Sequence, residues 1–267
     1  MSKKKRFKRD KSSRRRGVYI LPNLFTSFNL LFGFYATIAS INQKFVAAAI
    51  AIIMGVMFDI LDGKIARATN TSSKFGVEYD SLADLITFGL APGIMVYLWA
   101  LKPLGRLGWL AAFLFLACGA LRLARFNAQA GTISSDYFVG LPIPAAAGMS
   151  ATTVLLCHRI NMTPNPILML VLLYGLSFLM VSTIRYQSFK KPELFKKMNF
   201  NVLVILILLM IFIAALPSVA LFIIGAGYVS SGIVNIFRRH RGLSPEAMKP
   251  MPKDPQEPMP TPPESLR

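Results

Sequence analysis

Long apolar runs separated by short polar segments dominate the chain. Each run is close to the roughly 20 residues that a helix needs to cross the hydrocarbon core of a bilayer. Eight such segments can be delimited, at about 21–41, 45–68, 81–101, 107–126, 141–159, 165–185, 200–216 and 218–238. Several prolines fall near segment ends, where a helix tolerates them. The pattern predicts an all-α polytopic membrane protein with about eight transmembrane helices.

Composition supports a membrane environment and argues against a soluble basic protein. Apolar residues make up 54% of the chain and the mean hydropathy is +0.51, although the net charge is +18. The charge is concentrated in the tails and short loops, and neither a zinc-finger spacing nor an RNA-binding signature is present. We therefore expect the lipid bilayer, and no nucleic acid, as a partner.

The distribution of basic residues predicts the orientation. An even number of spans puts both termini on one side, and all but four of the 30 Lys and Arg residues then lie on that side. The four exceptions are Lys44, Lys102, Arg106 and Arg159. By the positive-inside rule the basic side is cytoplasmic, which predicts a multi-pass protein of the inner (cytoplasmic) membrane with both termini in the cytoplasm.

Four aspartates lie close together in sequence beside apolar segments. Asp59 and Asp62 close the second segment, and Asp80 and Asp84 open the third. Residues three or four apart share a helical face, so two facing helices could gather all four carboxylates at the cytoplasmic end. Ionised carboxylates at membrane depth are costly unless a cation compensates them. The stretch therefore predicts a cation site facing the cytoplasm.

The spacing around these aspartates is specific. It reads Asp59-x2-Asp62-Gly63-x2-Ala66-Arg67-x8-Gly76-x3-Asp80-x3-Asp84. This spacing resembles the signature of the CDP-alcohol phosphatidyltransferases, which join a CDP-activated lipid or alcohol to an alcohol acceptor with loss of CMP. The resemblance implies the fold of that family.

Further motifs narrow the resemblance. The segments LPNLFTSFNLLFGF before the signature, and FGLAPG, CGALRLARFN and GLPIPAAAG after it, are similar to membrane-integral bacterial phosphatidylserine synthases. This likeness covers about residues 21–160. It implies phosphatidyl transfer from CDP-diacylglycerol to L-serine, two divalent ions (Mg²⁺ or Mn²⁺), and a homodimer. Oxygen-only ligands suit these ions, and a pair of them can neutralise a pyrophosphate.

Site residues carry over by position in the motifs. The resemblance implies that four aspartates bind metal, namely Asp59, Asp62, Asp80 and Asp84. It also implies that two of them, Asp80 and Asp84, are catalytic, and that Asp84 accepts the proton of the acceptor hydroxyl. It implies that Gly63, Arg67 and Ser73 bind CDP-diacylglycerol, with Asn23 and Thr26 nearby. Arg67 suits a diphosphate as a fork-shaped donor, and an arginine snorkelling from a helix end is the alternative.

Two arginines near the end of the fourth segment are candidates for acceptor binding. Arg122 and Arg125 are three residues apart and can share a face, and Asn127 follows closely. They could bind the carboxylate of serine or anchor the helix to lipid phosphate, and we favour acceptor binding.

Three parts of the chain are predicted. Residues 1–20 form a basic cytoplasmic tail, 21–240 the transmembrane catalytic domain, and 241–267 a Pro-rich disordered cytoplasmic tail.

Other functions share parts of this pattern. Phosphatidylglycerophosphate and phosphatidylinositol-phosphate synthases share the aspartate signature, which does not name the acceptor. A membrane transporter also places carboxylates in helices, but usually near mid-membrane rather than at a helix end.

Overall fold

A computed structural model describes residues 11–69, 73–129, 137–187 and 200–240. Helices account for most of them. In chain order they are α1 (Lys11–Ile41), α2 (Phe45–Thr69), α3 (Lys74–Asp84), α4 (Ala91–Val96), α5 (Arg106–Gln129), α6 (Ile143–Arg159), α7 (Pro166–Val181), α8 (Phe200–Ala215) and α9 (Pro217–His240). The predicted helical class is confirmed.

One long helical segment contains changes of helix type. After α3 the chain continues through a π-helical stretch, Leu85–Leu90, into α4. A second π-helical stretch, Tyr97–Leu101, and a 3-10 turn, Lys102–Leu104, follow. The whole Lys74–Leu104 segment is long and apolar enough to cross a membrane. The π-helical stretches were not predicted, because apolar residues give the same pattern in both helix types.

Four helical segments of the described chain meet the length and hydropathy of a membrane span. They are Asn23–Ile41, Phe45–Ile65, Lys74–Leu104 and Arg106–Ala128, and Pro166–Val181 and Pro217–Gly232 are shorter apolar helices. The protein is therefore a multi-pass membrane protein. Helix α1 begins earlier than the predicted first segment, at Lys11, but its apolar part starts close to the predicted position.

Small residues allow α1 and α2 to pack closely. Ala36, Ala39, Ala48 and Ala49 are all buried between elements of the core. Helix association inside a bilayer depends on such close approach, since lipid already satisfies apolar side chains. The close packing of α1 against α2 thus sets the positions of the residues near their ends.

Thr87, at the beginning of the π-helical stretch, fits between α1 and α2. Its hydroxyl donates to the Asn29 carbonyl oxygen at 2.9 Å. A Cβ atom added at Gly33 would lie 2.6 Å from Thr87 Cα, and one added at Gly55 would lie 2.6 Å from Thr87 Cγ2. These two glycines therefore let the third segment approach the first two closely. This contact fixes the position of Asp84, which lies one helical turn before Thr87.

A short antiparallel pair of strands joins two interhelical connections. Strand β1 (Tyr137–Val139) pairs with β2 (Arg185–Gln187), with Phe138 opposite Tyr186. The all-α prediction missed it, because three residues on each side are too few to produce a strand pattern.

Candidate active site

Three carboxylates meet where α2 and α3 face each other. Oxygen atoms of Asp59, Asp62 and Asp80 lie within 4.8 Å of one another. Asp62 and Asp84 are buried, and Asp84 interacts electrostatically with the other three aspartates. The four-residue group, which we call the aspartate cluster, therefore concentrates negative charge away from water, which is unfavourable without a compensating cation.

Helix α1 orients two members of the aspartate cluster. The Thr26 hydroxyl donates to Asp62 Oδ2 at 3.2 Å, and the Asn29 amide donates to Asp84 Oδ1 at 3.0 Å. Thr26 and Asn29 are three residues apart and both are buried, so one face of α1 serves the cluster. Asn29 was not predicted as a site residue. Its spacing from Thr26 was the available signal.

The donor set fits a divalent cation of the Mg²⁺ or Mn²⁺ type. All the candidate ligand atoms are carboxylate oxygens, which these hard ions prefer. Within the described residues, Asp80 Oδ1 is buried and has no hydrogen-bond partner. A buried acceptor without a partner, beside two further carboxylates, is typical of a metal-binding site when only the protein atoms are considered.

Comparison with models of known protein families assigns the chain to a family. The family model described as CDP-alcohol phosphatidyltransferase matches residues 19–181. The chain belongs to this family. The aspartate cluster and the α1 residues that orient it all lie within the matched region, whereas α8 and α9 lie beyond it.

Several curated proteins are similar to this chain over most of its length. A CDP-diacylglycerol–serine O-phosphatidyltransferase of Helicobacter pylori is 39% identical over 209 residues, which are 77% of this chain and 86% of the relative. A protein of the same name from Bacillus subtilis is 38% identical over 171 residues, covering 64% of this chain and 92% of the relative. An archaetidylserine synthase of Methanothermobacter thermautotrophicus is 36% identical over 168 residues, covering 62% and 69%.

Residues predicted to bind the nucleotide lie near the start of α3. Ser73 caps this helix, its hydroxyl accepting from the Gly76 N–H at 2.9 Å. A Cβ atom at Gly76 would lie 3.4 Å from Asn23 Oδ1, so Asn23 of α1 comes close to this turn. Gly63 follows Asp62 in α2. The side chain of Arg67 lies outside the described residues.

The three residues predicted to bind serine have different surroundings. Arg122 is buried and interacts electrostatically with Asp84 and Asp59, and its Nε has no hydrogen-bond partner within the described part of the chain. Arg125 donates to the Val181 carbonyl oxygen at 3.1 Å, at the end of α7. Asn127 donates to the Ser81 hydroxyl at 2.9 Å. Arg122 thus interacts directly with the aspartate cluster.

Tyr228 was not predicted as a site residue. It lies on α9, is half-buried, and interacts electrostatically with Arg122. Its segment carried no motif that the sequence analysis could use, so only the folded arrangement reveals that α9 reaches the site.

Proposed function

We propose that the protein is a phosphatidylserine synthase, a CDP-diacylglycerol–serine O-phosphatidyltransferase. It transfers the phosphatidyl group of CDP-diacylglycerol to the hydroxyl of L-serine and releases CMP. The main support for this proposal is the aspartate cluster in a chain of this family. The chain also matches relatives of that name over most of their length.

The aspartate cluster is proposed as the reaction centre. Asp59, Asp62, Asp80 and Asp84 would hold two divalent ions, Mg²⁺ or Mn²⁺. When bound, such ions neutralise the pyrophosphate and polarise the attacking hydroxyl. Asp80 and Asp84 form the catalytic pair, and Asp84 accepts the proton of the serine hydroxyl as the oxygen attacks phosphorus and CMP departs. The hydrogen bond from Asn29 keeps the Asp84 carboxylate oriented for this transfer.

Substrate binding is assigned to two sides of the cluster. The CDP portion of the lipid would be bound between the end of α2 and the start of α3, by Gly63, Arg67, Ser73, Asn23 and Thr26. On the other side, Arg122 would bind the carboxylate of serine. Support for this comes from its buried Nε, which offers an unused donor close to Asp84. Asn127 would complete that side, and Arg125 would support it by holding the contact between α5 and the end of α7.

The membrane arrangement is also a proposal. We assign eight spans, with Lys74–Leu104 counted as one and α6, α7, α8 and α9 as four. Residues 1–20 and 241–267 would be cytoplasmic tails around the catalytic domain, 21–240. The active site would face the cytoplasm at the inner membrane, where serine and CDP-diacylglycerol are both accessible, and the protein would form a homodimer.

Turnover by the purified protein tests the assignment. Radiolabelled serine with CDP-diacylglycerol and Mg²⁺ or Mn²⁺ should give labelled phosphatidylserine and an equal amount of CMP. Parallel reactions with glycerol 3-phosphate and inositol phosphate test the family alternatives. Labelled product from either of these, and none from serine, would refute the serine assignment while keeping the family chemistry.

A further inference from the structure

A cavity lies at the opposite end of α2 from the aspartate cluster. It has a volume of about 690 Å³, within the range of about 300–1,000 Å³ of small-ligand sites. Its lining comes from the α1–α2 connection, the first turns of α2, Trp99, the last turns of α6, and the connection that follows α6. From Phe45 at the start of α2 to Asp59 the distance is about 20 Å along the helix axis. This cavity, which we call the α2–α6 cleft, is separate from the reaction centre.

The lining of the α2–α6 cleft is divided into polar and apolar parts. Lys44, His158 and Asn161 are exposed and give it a polar rim. Phe45 and Trp99 are half-buried and Val154 is buried, so the interior is apolar. A cleft with a cationic rim over an apolar floor matches an amphiphile better than it matches a soluble ion.

Two helix caps fix the shape of the rim. Gln43 and Asn161 have φ angles of 59° and 51°, the left-handed conformation that follows a helix end. The Lys44 N–H donates to the Ala39 carbonyl oxygen at 2.8 Å, and the Met162 N–H donates to the Cys157 carbonyl oxygen at 2.9 Å. These bonds are the six-to-one bonds of Schellman motifs closing α1 and α6. The rim is therefore held in place by backbone hydrogen bonds.

The charge at this end of the molecule is uncompensated. Lys44 lies in the cleft and Arg159 in the last turn of α6 beside it. The sequence places no Asp or Glu in the connecting segments at this end, 42–44, 102–106 and 159–166. Basic residues are sparse on this side of the protein, so the ones beside the cleft are not accounted for by the general bias that orients membrane proteins.

We propose that the α2–α6 cleft binds an anionic phospholipid of the leaflet opposite the aspartate cluster. Lys44 contacts the lipid phosphate, and the N–H groups at the start of α2, which have no intrahelical carbonyl to donate to, donate further hydrogen bonds to it. An acyl chain lies along Phe45, Trp99 and Val154. The site needs no part of the transfer reaction, and it rests on the proposed function only for the membrane arrangement, which decides the leaflet that the cleft faces.

Trp99 provides a direct probe of the cleft. The protein has two tryptophans, and Trp109→Phe leaves Trp99 as the sole tryptophan, whose emission is excited selectively at the red edge of the absorption band. This full-length variant is reconstituted in vesicles containing phosphatidylcholine and phosphatidylglycerol, with bromine on the acyl chains of one lipid or the other. At equal mole fractions, brominated phosphatidylglycerol should quench Trp99 more strongly. We expect a relative binding constant about fivefold in its favour, the contribution of one basic residue near anionic lipid.

Two substitutions decide whether the preference belongs to the cleft. In the Trp109→Phe background, Lys44→Gln should remove the preference, whereas Lys102→Gln should keep it, since Lys102 is an exposed lysine at the same end but not in the lining. Free glycerol phosphate should not relieve the quenching. Equal quenching by both lipids, equal loss in the two lysine variants, or relief by glycerol phosphate would each overturn the proposal.

Discussion

Asn29 of α1 donates a hydrogen bond to Asp84 of α3 across 55 positions of sequence. The two side chains are buried, and Asn29 also holds the third helical segment through its backbone carbonyl oxygen, which accepts from Thr87. One residue therefore couples the packing of α1 to the orientation of the proposed base. A change at Asn29 should affect the chemistry more than the binding of the nucleotide.

Asn29→Ala removes the donor to Asp84 Oδ1 and leaves a buried acceptor unsatisfied, which costs about 1–3 kcal/mol. We expect kcat to fall about ten- to a hundredfold with little change in the apparent affinity for CDP-diacylglycerol. Steady-state rates at varied CDP-diacylglycerol measure both quantities. Asn29→Asp should be worse, because it adds a carboxylate beside Asp84.

Thr37→Val is the matched control for this prediction. It also removes a polar group from α1, one that donates to the Gly33 carbonyl oxygen of its own helix. Its activity should be close to wild type. An Asn29→Asp variant with unimpaired turnover would contradict the role of Asn29.

The aspartate cluster predicts opposite effects on activity and stability. Asp59→Asn, Asp62→Asn and Asp80→Asn should each abolish turnover, since each removes a proposed metal ligand. In EDTA the same variants should unfold at a higher temperature than wild type, because each relieves repulsion among buried like charges. Radiolabelled serine incorporation and thermal unfolding in detergent measure the two effects.

Glu78→Gln is the control for charge removal, because Glu78 lies on the same helix as Asp80 but is exposed. It should change neither quantity. EDTA should inactivate the wild type, and Mg²⁺ or Mn²⁺ should restore it. Full activity in any two of the three aspartate variants would rule out the proposed two-ion site.

Gly33→Ala tests the close approach that fixes Thr87. The added Cβ would lie 2.6 Å from Thr87 Cα, so the backbone has to move, and we expect a loss of about 1–3 kcal/mol in stability together with lower activity. Gly175→Ala is the control, because a Cβ there meets nothing within 4 Å. Thermal unfolding of both variants should show a clear loss only at position 33. Equal stability of the two would show that Thr87 tolerates displacement.

Most of the helices could be predicted from the sequence, because apolar runs at membrane-spanning length leave few alternatives. The predicted segments 45–68 and 165–185 correspond to α2 (Phe45–Thr69) and α7 (Pro166–Val181). The π-helical stretches and the β1–β2 pair could not be predicted. They arise from contacts between distant segments, such as Thr87 against α1 and α2, and local hydropathy does not report these.

The site was predictable to the extent that it is local. Asp59 and Asp62 lie on one helix and Asp80 on another, and their spacing in the sequence predicted that they would meet. In the structure, carboxylate oxygens of these three residues lie within 4.8 Å of one another. The environment of Arg125 was not predictable. Its position three residues from Arg122 suggested a common role, whereas its guanidinium donates to carbonyl oxygens at the end of α7, which are contacts of tertiary structure.

Reporter fusions test the assignment of eight spans. Reporters placed after Asp10 and after Arg241 should both report the cytoplasm, and one inserted at Gly105 should report the other side. Gly105 suits an insertion because it is exposed, has a φ of 53°, and a Cβ there would meet nothing within 4 Å. Termini on opposite sides would refute the count. The α8–α9 region would then need reassignment first, since only Leu216 separates those helices.

Substitutions of Arg122 and Arg125, both on α5, should have different effects, although the spacing of the two residues suggested a common role. Arg122→Gln should raise the KM for serine about ten- to a hundredfold, the loss expected for one charge-assisted hydrogen bond, with little change for CDP-diacylglycerol. Arg122→Lys should rescue this only partly, because lysine lacks the planar fork. Ethanolamine, which lacks the carboxylate, should be a poor acceptor for the wild type.

Arg125→Gln should act chiefly on stability. Its guanidinium donates to the carbonyl oxygens of Val181 at 3.1 Å and Met180 at 3.5 Å, where α7 ends, and a Cβ at Gly140 would lie 2.9 Å from its Nη2. A cation at a helix end satisfies carbonyls that have no intrahelical donor, so its loss should loosen the contact between α5 and α7. Thermal unfolding should show the larger loss for Arg125→Gln, and serine titration the larger loss for Arg122→Gln. An equal rise in the KM for serine in both variants would contradict this division and return Arg125 to the acceptor pocket.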